Sequence, residues 1–350
     1  MPGDGLCRTV GVGLVGASDI ASPVWLRECH GQVVTSRPCP VRAARAAMDE
    51  MPSTRLTPAR SRPAVDSSRP FGAHLRMNWW KPLLVIVVPP LVMLVLQVLL
   101  YLVVGVVEGS DDPMAPTFTP LKFLAVNISV GVAGVLAILL LAWTARVPWR
   151  SLISFPRTFD AGRLVRYLLG AALLVGAGIG VVALVAPDAP GWTGFGVTGT
   201  TIAMLVIVLL STPIQATGEE LMFRSAVLPA AASWVRKVRP ALALGLVISS
   251  LGFAVVHGST DPWLFGYYAA FGVSTGLMAI ISRGIEAPVA FHVANNVLFT
   301  TVNTVMAGGE GFAIDRSTDT GDASLLILAV VNIAMVLLVW LRERCTRTGE

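Results

Sequence analysis

Apolar residues in this chain gather into long unbroken runs, separated by short polar segments, rather than into the alternation of strands or the one-sided stripe of surface helices. Eight runs can be read: Leu83 to Val107, Leu121 to Thr144, Leu164 to Ala186, Thr200 to Thr217, Ala241 to His257, Trp263 to Ser282, Ala287 to Met306 and Ser324 to Leu341. Each has about the 17 to 25 residues that a helix needs to cross a ~30 Å hydrocarbon core. The pattern predicts an all-α polytopic membrane protein with about eight transmembrane helices.

The polar segments between the runs set the orientation, because short loops rich in Lys and Arg stay in the cytoplasm. Arg76 and Lys81 precede the first run, and Arg146, Arg150, Arg157 and Arg163 fill the second loop. Arg236, Lys237 and Arg239 fill the fourth loop, Arg283 the sixth, and Arg342, Arg344 and Arg347 the tail. The alternate loops carry Glu108, Asp111, Asp112, Asp188, Asp261, Glu310, Asp315, Asp319 and Asp322, with only Lys122 and Arg316 against them. Both termini are therefore expected in the cytoplasm, in a multi-pass protein of the plasma membrane.

Composition agrees: 54% of residues are hydrophobic and 13% charged, which excludes an ordinary water-soluble domain. The net charge of +5 follows from the cytoplasmic loops and suits an anionic leaflet. No basic and aromatic pattern points to nucleic acid. Residues 1–76 lack helical periodicity and are rich in turn-formers, so they read as a disordered polar extension, with Met77 a candidate start of translation. The membrane domain is expected over 77–345. Cys7, Cys29, Cys39 and Cys345 form no Cys-x-x-Cys pair and indicate neither a disulfide framework nor a cysteine metal site.

The chemistry lies in the second half. Ionisable side chains are expensive within the hydrocarbon layer and persist mainly where they line a polar cavity. Only four histidines occur, and two of them, His257 and His292, sit in apolar runs. The densest polar cluster is Glu219, Glu220 and Arg224. On a helix Arg224 shares a face with Glu220, four residues earlier, whereas Glu219 points about 100° away. Glu220 and Arg224 thus read as a fixed pair, and Glu219 as a general base facing a cavity. Phe253 lies one turn before His257, and Asn296 one turn after His292. Singly, these features also fit a boundary salt bridge and histidines that merely pack against a neighbouring helix.

Together the three pairs resemble the intramembrane proteases of the CAAX-processing and bacteriocin-immunity group (CPBP, also called Abi), which includes the type II CAAX prenyl endopeptidase. Glu219, Glu220 and Arg224 match Glu-Glu-x-x-x-Arg, Phe253 and His257 match Phe-x-x-x-His, and His292 and Asn296 match His-x-x-x-Asn, all within 200–306. The resemblance implies that Glu219 activates a water for attack on a peptide carbonyl, with His257, His292 and Asn296 around it and Glu220, Arg224 and Phe253 in support. It also implies a membrane-associated peptide or protein substrate. His257 and His292 with Glu219 have the donor set of a catalytic zinc site, yet there is no His-Glu-x-x-His, and metal-dependent and glutamate-dependent hydrolysis both stay open. Two other functions compete: a proton-coupled transporter, and a catalytically silent immunity or scaffold protein. The transporter would carry an internal repeat, and none is visible.

One geometric condition follows. Along its run His257 lies about 25 Å from Pro240, near the outer end, whereas His292 lies about 9 Å from Glu286 at the inner end. The three residues meet only if the helix bearing Glu219 bends at Pro213 and continues toward Pro229, with the next helix starting below the membrane plane.

Overall fold

The computed structural model describes residues 65–188, 191–309 and 319–348. The expectation for residues 1–64, and the outer-loop charges Glu310, Asp315 and Arg316, lie outside the described residues. Long helices appear where the apolar runs predict them: α1 (Lys81–Glu108), α2 (Pro120–Ala145), α4 (Ala161–Val185), α5 (Gly199–Glu220), α7 (Val238–Val256), α8 (Pro262–Ser282), α9 (Glu286–Val305) and α10 (Leu325–Thr348), with a short α3 (Arg150–Ile153) between α2 and α4. Among the described residues the only β-structure is three isolated bridges.

Helix α5 does not stop at the end of its apolar run. It passes through a π-helical segment, Leu221–Val227, into α6 (Leu228–Ala232), so that Gly199–Ala232 forms one 34-residue candidate span. Pro213 lies inside it. Seven helices are long and apolar enough to cross a membrane, and α9 is not among them. Glu286, His292, Asn295, Asn296 and Asn303 dilute its apolar character, as suits a helix that lines a polar site. Large apolar side chains such as Val106, Leu173 and Leu184 lie exposed on the outer faces of α1 and α4, where lipid would cover them.

Helices α2 and α5 approach closely because small residues let their backbones meet. A Cβ added at Gly134 would stand 2.2 Å from the Gly218 carbonyl oxygen, and one added at Gly218 would stand 2.6 Å from that of Val130. Side chains are excluded there, as at small-residue crossings between membrane helices generally. Asn127 on α2 adds a buried hydrogen bond to Ser211 of α5, 2.8 Å. The position of Glu219, next to Gly218, is fixed by this crossing.

Residues 65–76 depart from the expectation of a disordered head reaching Arg76. Val65 bridges Leu75, and Phe71, His74 and Leu75 are completely buried. Phe71 packs with Ala279, Ile285 and Val289, against Leu221 and Val293. His74 stacks between the rings of Phe71 and Phe155, with centroids at 5.6 and 4.8 Å. A polar composition hides this segment in the sequence, because its few apolar side chains become core only through partners far along the chain.

Candidate active site

Helix α7 runs back along the α6 and π-helical extension: a Cβ added at Gly245 would meet the Leu228 carbonyl, and the Ser249 hydroxyl donates to the Phe223 carbonyl at 2.9 Å. Each turn along α7 is thus a turn back along α5. Phe253 comes level with Phe223 and Arg224, the ring centroid 5.5 Å from that of Phe223 and 4.5 Å from the Arg224 guanidinium carbon. His257, the C-cap of α7, follows one turn later. The extension of α5 toward Pro229 is what the sequence condition demanded.

Helix α9 also runs antiparallel to α5. His292 Nε2 stands 3.2 Å from Glu219 Oε2, and one turn on, Asn296 Nδ2 donates to Gln215 Oε1 at 3.1 Å. His292 bridges both acids, since its Nδ1 lies 2.7 Å from Glu220 Oε1. Glu220 is held from its other side by Arg224, whose Nε is 3.2 Å from Oε2. Arg224 in turn donates to the Thr275 hydroxyl and, at 3.3 Å, to the Gly272 carbonyl of α8. Glu219, Glu220, Arg224 and His292 are 5%, 0%, 0% and 2% exposed, so this four-membered cluster is out of water. At such depth charges must be matched.

That requirement constrains the protons. Two carboxylates face one arginine, so neutrality needs one more proton, placed on His292 or on Glu219. Those two stand 3.2 Å apart. Glu220 is held between Arg224 and His292 Nδ1. The division of roles read from the 100° offset is thus present as geometry, with one addition: His292 touches both acids.

His257 is held differently. Its Nδ1 lies 2.7 Å from the Phe253 carbonyl oxygen, which can only accept, so Nδ1 carries a proton. Its ring stacks on Tyr268 at 4.1 Å and leans on Phe253 at 4.5 Å. Phe253 and Phe271 also meet the His292 ring edge to face, at 5.8 and 4.8 Å. An aromatic box therefore fixes both imidazoles. Among the described residues no three His, Cys, Asp or Glu side chains form a group able to hold a metal ion.

Sequence reasoning missed Gln215, Tyr268 and Thr275. Gln215 had a signal, since it precedes Glu219 by one helical turn and shares its face. The other two had none, because α8 carries no motif. The structure thus assembles Glu219, Glu220, Arg224, Phe253, His292 and Asn296 around the α5 and α9 contact, with His257 joined through Phe253. Residues 198–298, which run from the start of α5 to α9 and contain all three motifs, match the family model described as Type II CAAX prenyl endopeptidase Rce1-like. No curated protein and no solved structure matches the chain.

Proposed function

We propose that the chain, whose residues 198–298 match the family model described as Type II CAAX prenyl endopeptidase Rce1-like, is an intramembrane endopeptidase in which Glu219 activates the hydrolytic water. The observation that carries the reading is the buried cluster itself: His292 stands 3.2 Å from Glu219 and 2.7 Å from Glu220, while Arg224 pairs with Glu220. Two buried acids thus face one arginine, and the His292 ring touches both.

In the proposed reaction, water hydrogen-bonds to Glu219, and His257 is proposed to help hold it, as the family resemblance implies. Glu219 takes a proton as the water oxygen bonds to the substrate carbonyl carbon. The Asn296 amide, one turn from His292, donates to the oxygen as negative charge develops on it. When the carbon–nitrogen bond breaks, Glu219 returns the proton to the leaving amine. His292 holds the Glu219 carboxylate throughout and balances its charge.

A divalent cation, which the donor chemistry of His257, His292 and Glu219 suggested, has no part in these steps, because three such donors are not gathered among the described residues. Zinc bound to the two histidines would supply Lewis acidity at the same carbonyl. The substrate is proposed to be a membrane-associated peptide or protein, with a prenylated CAAX peptide the first to try. The membrane is proposed to be the plasma membrane, with the termini in the cytoplasm. The Lys and Arg of the segment before α1 and of the loops joining α2 to α4 and α6 to α7 support that orientation.

The test is cleavage of a quenched fluorescent prenylated CAAX peptide by protein in nanodiscs, with metal content measured on the same sample. Cleavage without stoichiometric metal is expected. Zinc at one per chain that is lost together with activity in His257→Ala would replace the metal-free steps with a metal-assisted reaction.

A further inference from the structure

We propose that Gln215 is a positioning residue for the reaction, holding the Asn296 amide at the carbonyl end of the site. The inference rests on the peptidase reading and extends it to a residue that none of the three motifs contains.

Gln215 and Glu219 occupy one face of α5, a turn apart, and Asn296 and His292 occupy the facing side of α9, also a turn apart. Because the helices are antiparallel, the two cross-pairs stack: Glu219 with His292 at 3.2 Å, and Gln215 with Asn296 at 3.1 Å. The second pair has the same spacing as the reacting pair and sits directly beside it. Its hydrogen bonds form a chain. Asn295 Nδ2 donates to Asn296 Oδ1 at 3.0 Å, and Asn296 Nδ2 donates to Gln215 Oε1.

The consequence concerns Asn296. An asparagine amide has two donor hydrogens and one acceptor oxygen. With its oxygen engaged by Asn295 and one hydrogen engaged by Gln215, the amide plane is fixed at two points. One N–H then remains to point at an oxyanion. Without Gln215 the side chain could turn about its terminal bond, which is broad and soft in asparagine, and that N–H would lose its aim. Donors stabilise a transition state in proportion to how well they are placed beforehand, so the loss should fall on turnover rather than on substrate binding. Both residues are half-buried rather than part of the packed core.

Gln215→Met keeps the length and volume of the side chain and removes its hydrogen bond. Two measurements on the full chain decide the matter. In thermal unfolding of Gln215→Met, Asn296→Leu and the double variant, the losses should be non-additive, since one bond is removed either way. Additive losses would show that the two side chains do not interact and would overturn the proposal without reference to any substrate. In cleavage of the quenched prenylated peptide, Gln215→Met should lower kcat about 10- to 100-fold with KM changed less than about twofold, and should have little further effect when Asn296 is already replaced. Unchanged kcat, or a change in KM alone, would overturn it. Glu219→Gln is run alongside to separate the two failures: cleavage that survives in Glu219→Gln sinks the peptidase reading, whereas a silent Glu219→Gln beside an undiminished Gln215→Met sinks the role of Gln215 only.

Discussion

Buried charge appears in two regions of this protein, and the two differ in what their protons can do. At the ends of α4, α9 and α10, Arg157 takes both oxygens of Glu286 at 2.5 and 2.6 Å, and Arg163 pairs with Glu343. Each carboxylate there has its own guanidinium and a further donor, the Asp160 amide for Glu286 and the Tyr167 hydroxyl for Glu343. Every charge is matched by a group that never titrates near neutral pH, so these pairs lock helices together. Among Glu219, Glu220, Arg224 and His292, two acids share one arginine and the balance is made by an imidazole. The same physics, charge neutrality away from water, yields a clamp in one place and a cluster balanced through a histidine in the other.

Removing Arg224 should break this contrast most severely. Arg224→Ala leaves Glu220 beside Glu219 with only His292 to neutralise two carboxylates, and breaking a buried pair in this way costs about 3–5 kcal/mol. A large drop in unfolding temperature together with loss of cleavage is expected; an unchanged unfolding temperature would mean that the cluster is wetter than its burial indicates. Arg157→Ala should cost less, about 2 kcal/mol, because Glu286 keeps the Asp160 amide and the boundary admits water. Cleavage by this variant at temperatures where it is folded should stay near wild type. A selective loss of turnover would place the clamp inside the catalytic machinery.

His74 sharpens the comparison from a third side, since its ring is buried between those of Phe71 and Phe155. Burial, aided by the charge of Arg69 and opposed by a backbone contact with Ser151, pushes its pKa down from 6.5 to about 4. The folded chain then binds fewer protons than the unfolded chain between those values, so stability present above pH 6.5 declines as the pH falls toward 4. The loss should reach about 1 kcal/mol near pH 5.5 and be absent in His74→Leu. Equal pH dependence in both proteins would show that the ring is not caged by Phe71 and Phe155.

Seven of the eight long helices were legible because each is apolar for a full membrane crossing, and α9 as an apolar run diluted by polar residues; Glu219, Glu220, Arg224, Phe253, His257, His292 and Asn296 were legible as spacing on helical faces. What was hidden had no local signal. Arg224, Ser225 and Pro229 follow the apolar run that ends at Thr217, yet the helix continues to Ala232, and Thr275 and Gly272, some fifty residues on, accept hydrogen bonds from Arg224 Nη2. Residues 65–76 look like part of a polar head until α8, α9 and Phe155 supply the partners that bury Phe71 and His74.

The central claim is that the paired acids divide their labour, Glu219 reacting and Glu220 holding. Its most direct measurement is the cleavage rate and unfolding temperature of Glu219→Gln and Glu220→Gln, made on the same prenylated peptide in the same nanodiscs. Glu219→Gln should lose cleavage, by about a thousandfold or more for a missing base assisted by its surroundings, while unfolding close to the wild-type temperature. Glu220→Gln should unfold at a clearly lower temperature, because Arg224 loses its counter-charge. Cleavage that survives in Glu219→Gln and disappears in a normally stable Glu220→Gln would contradict the account and reverse the two assignments.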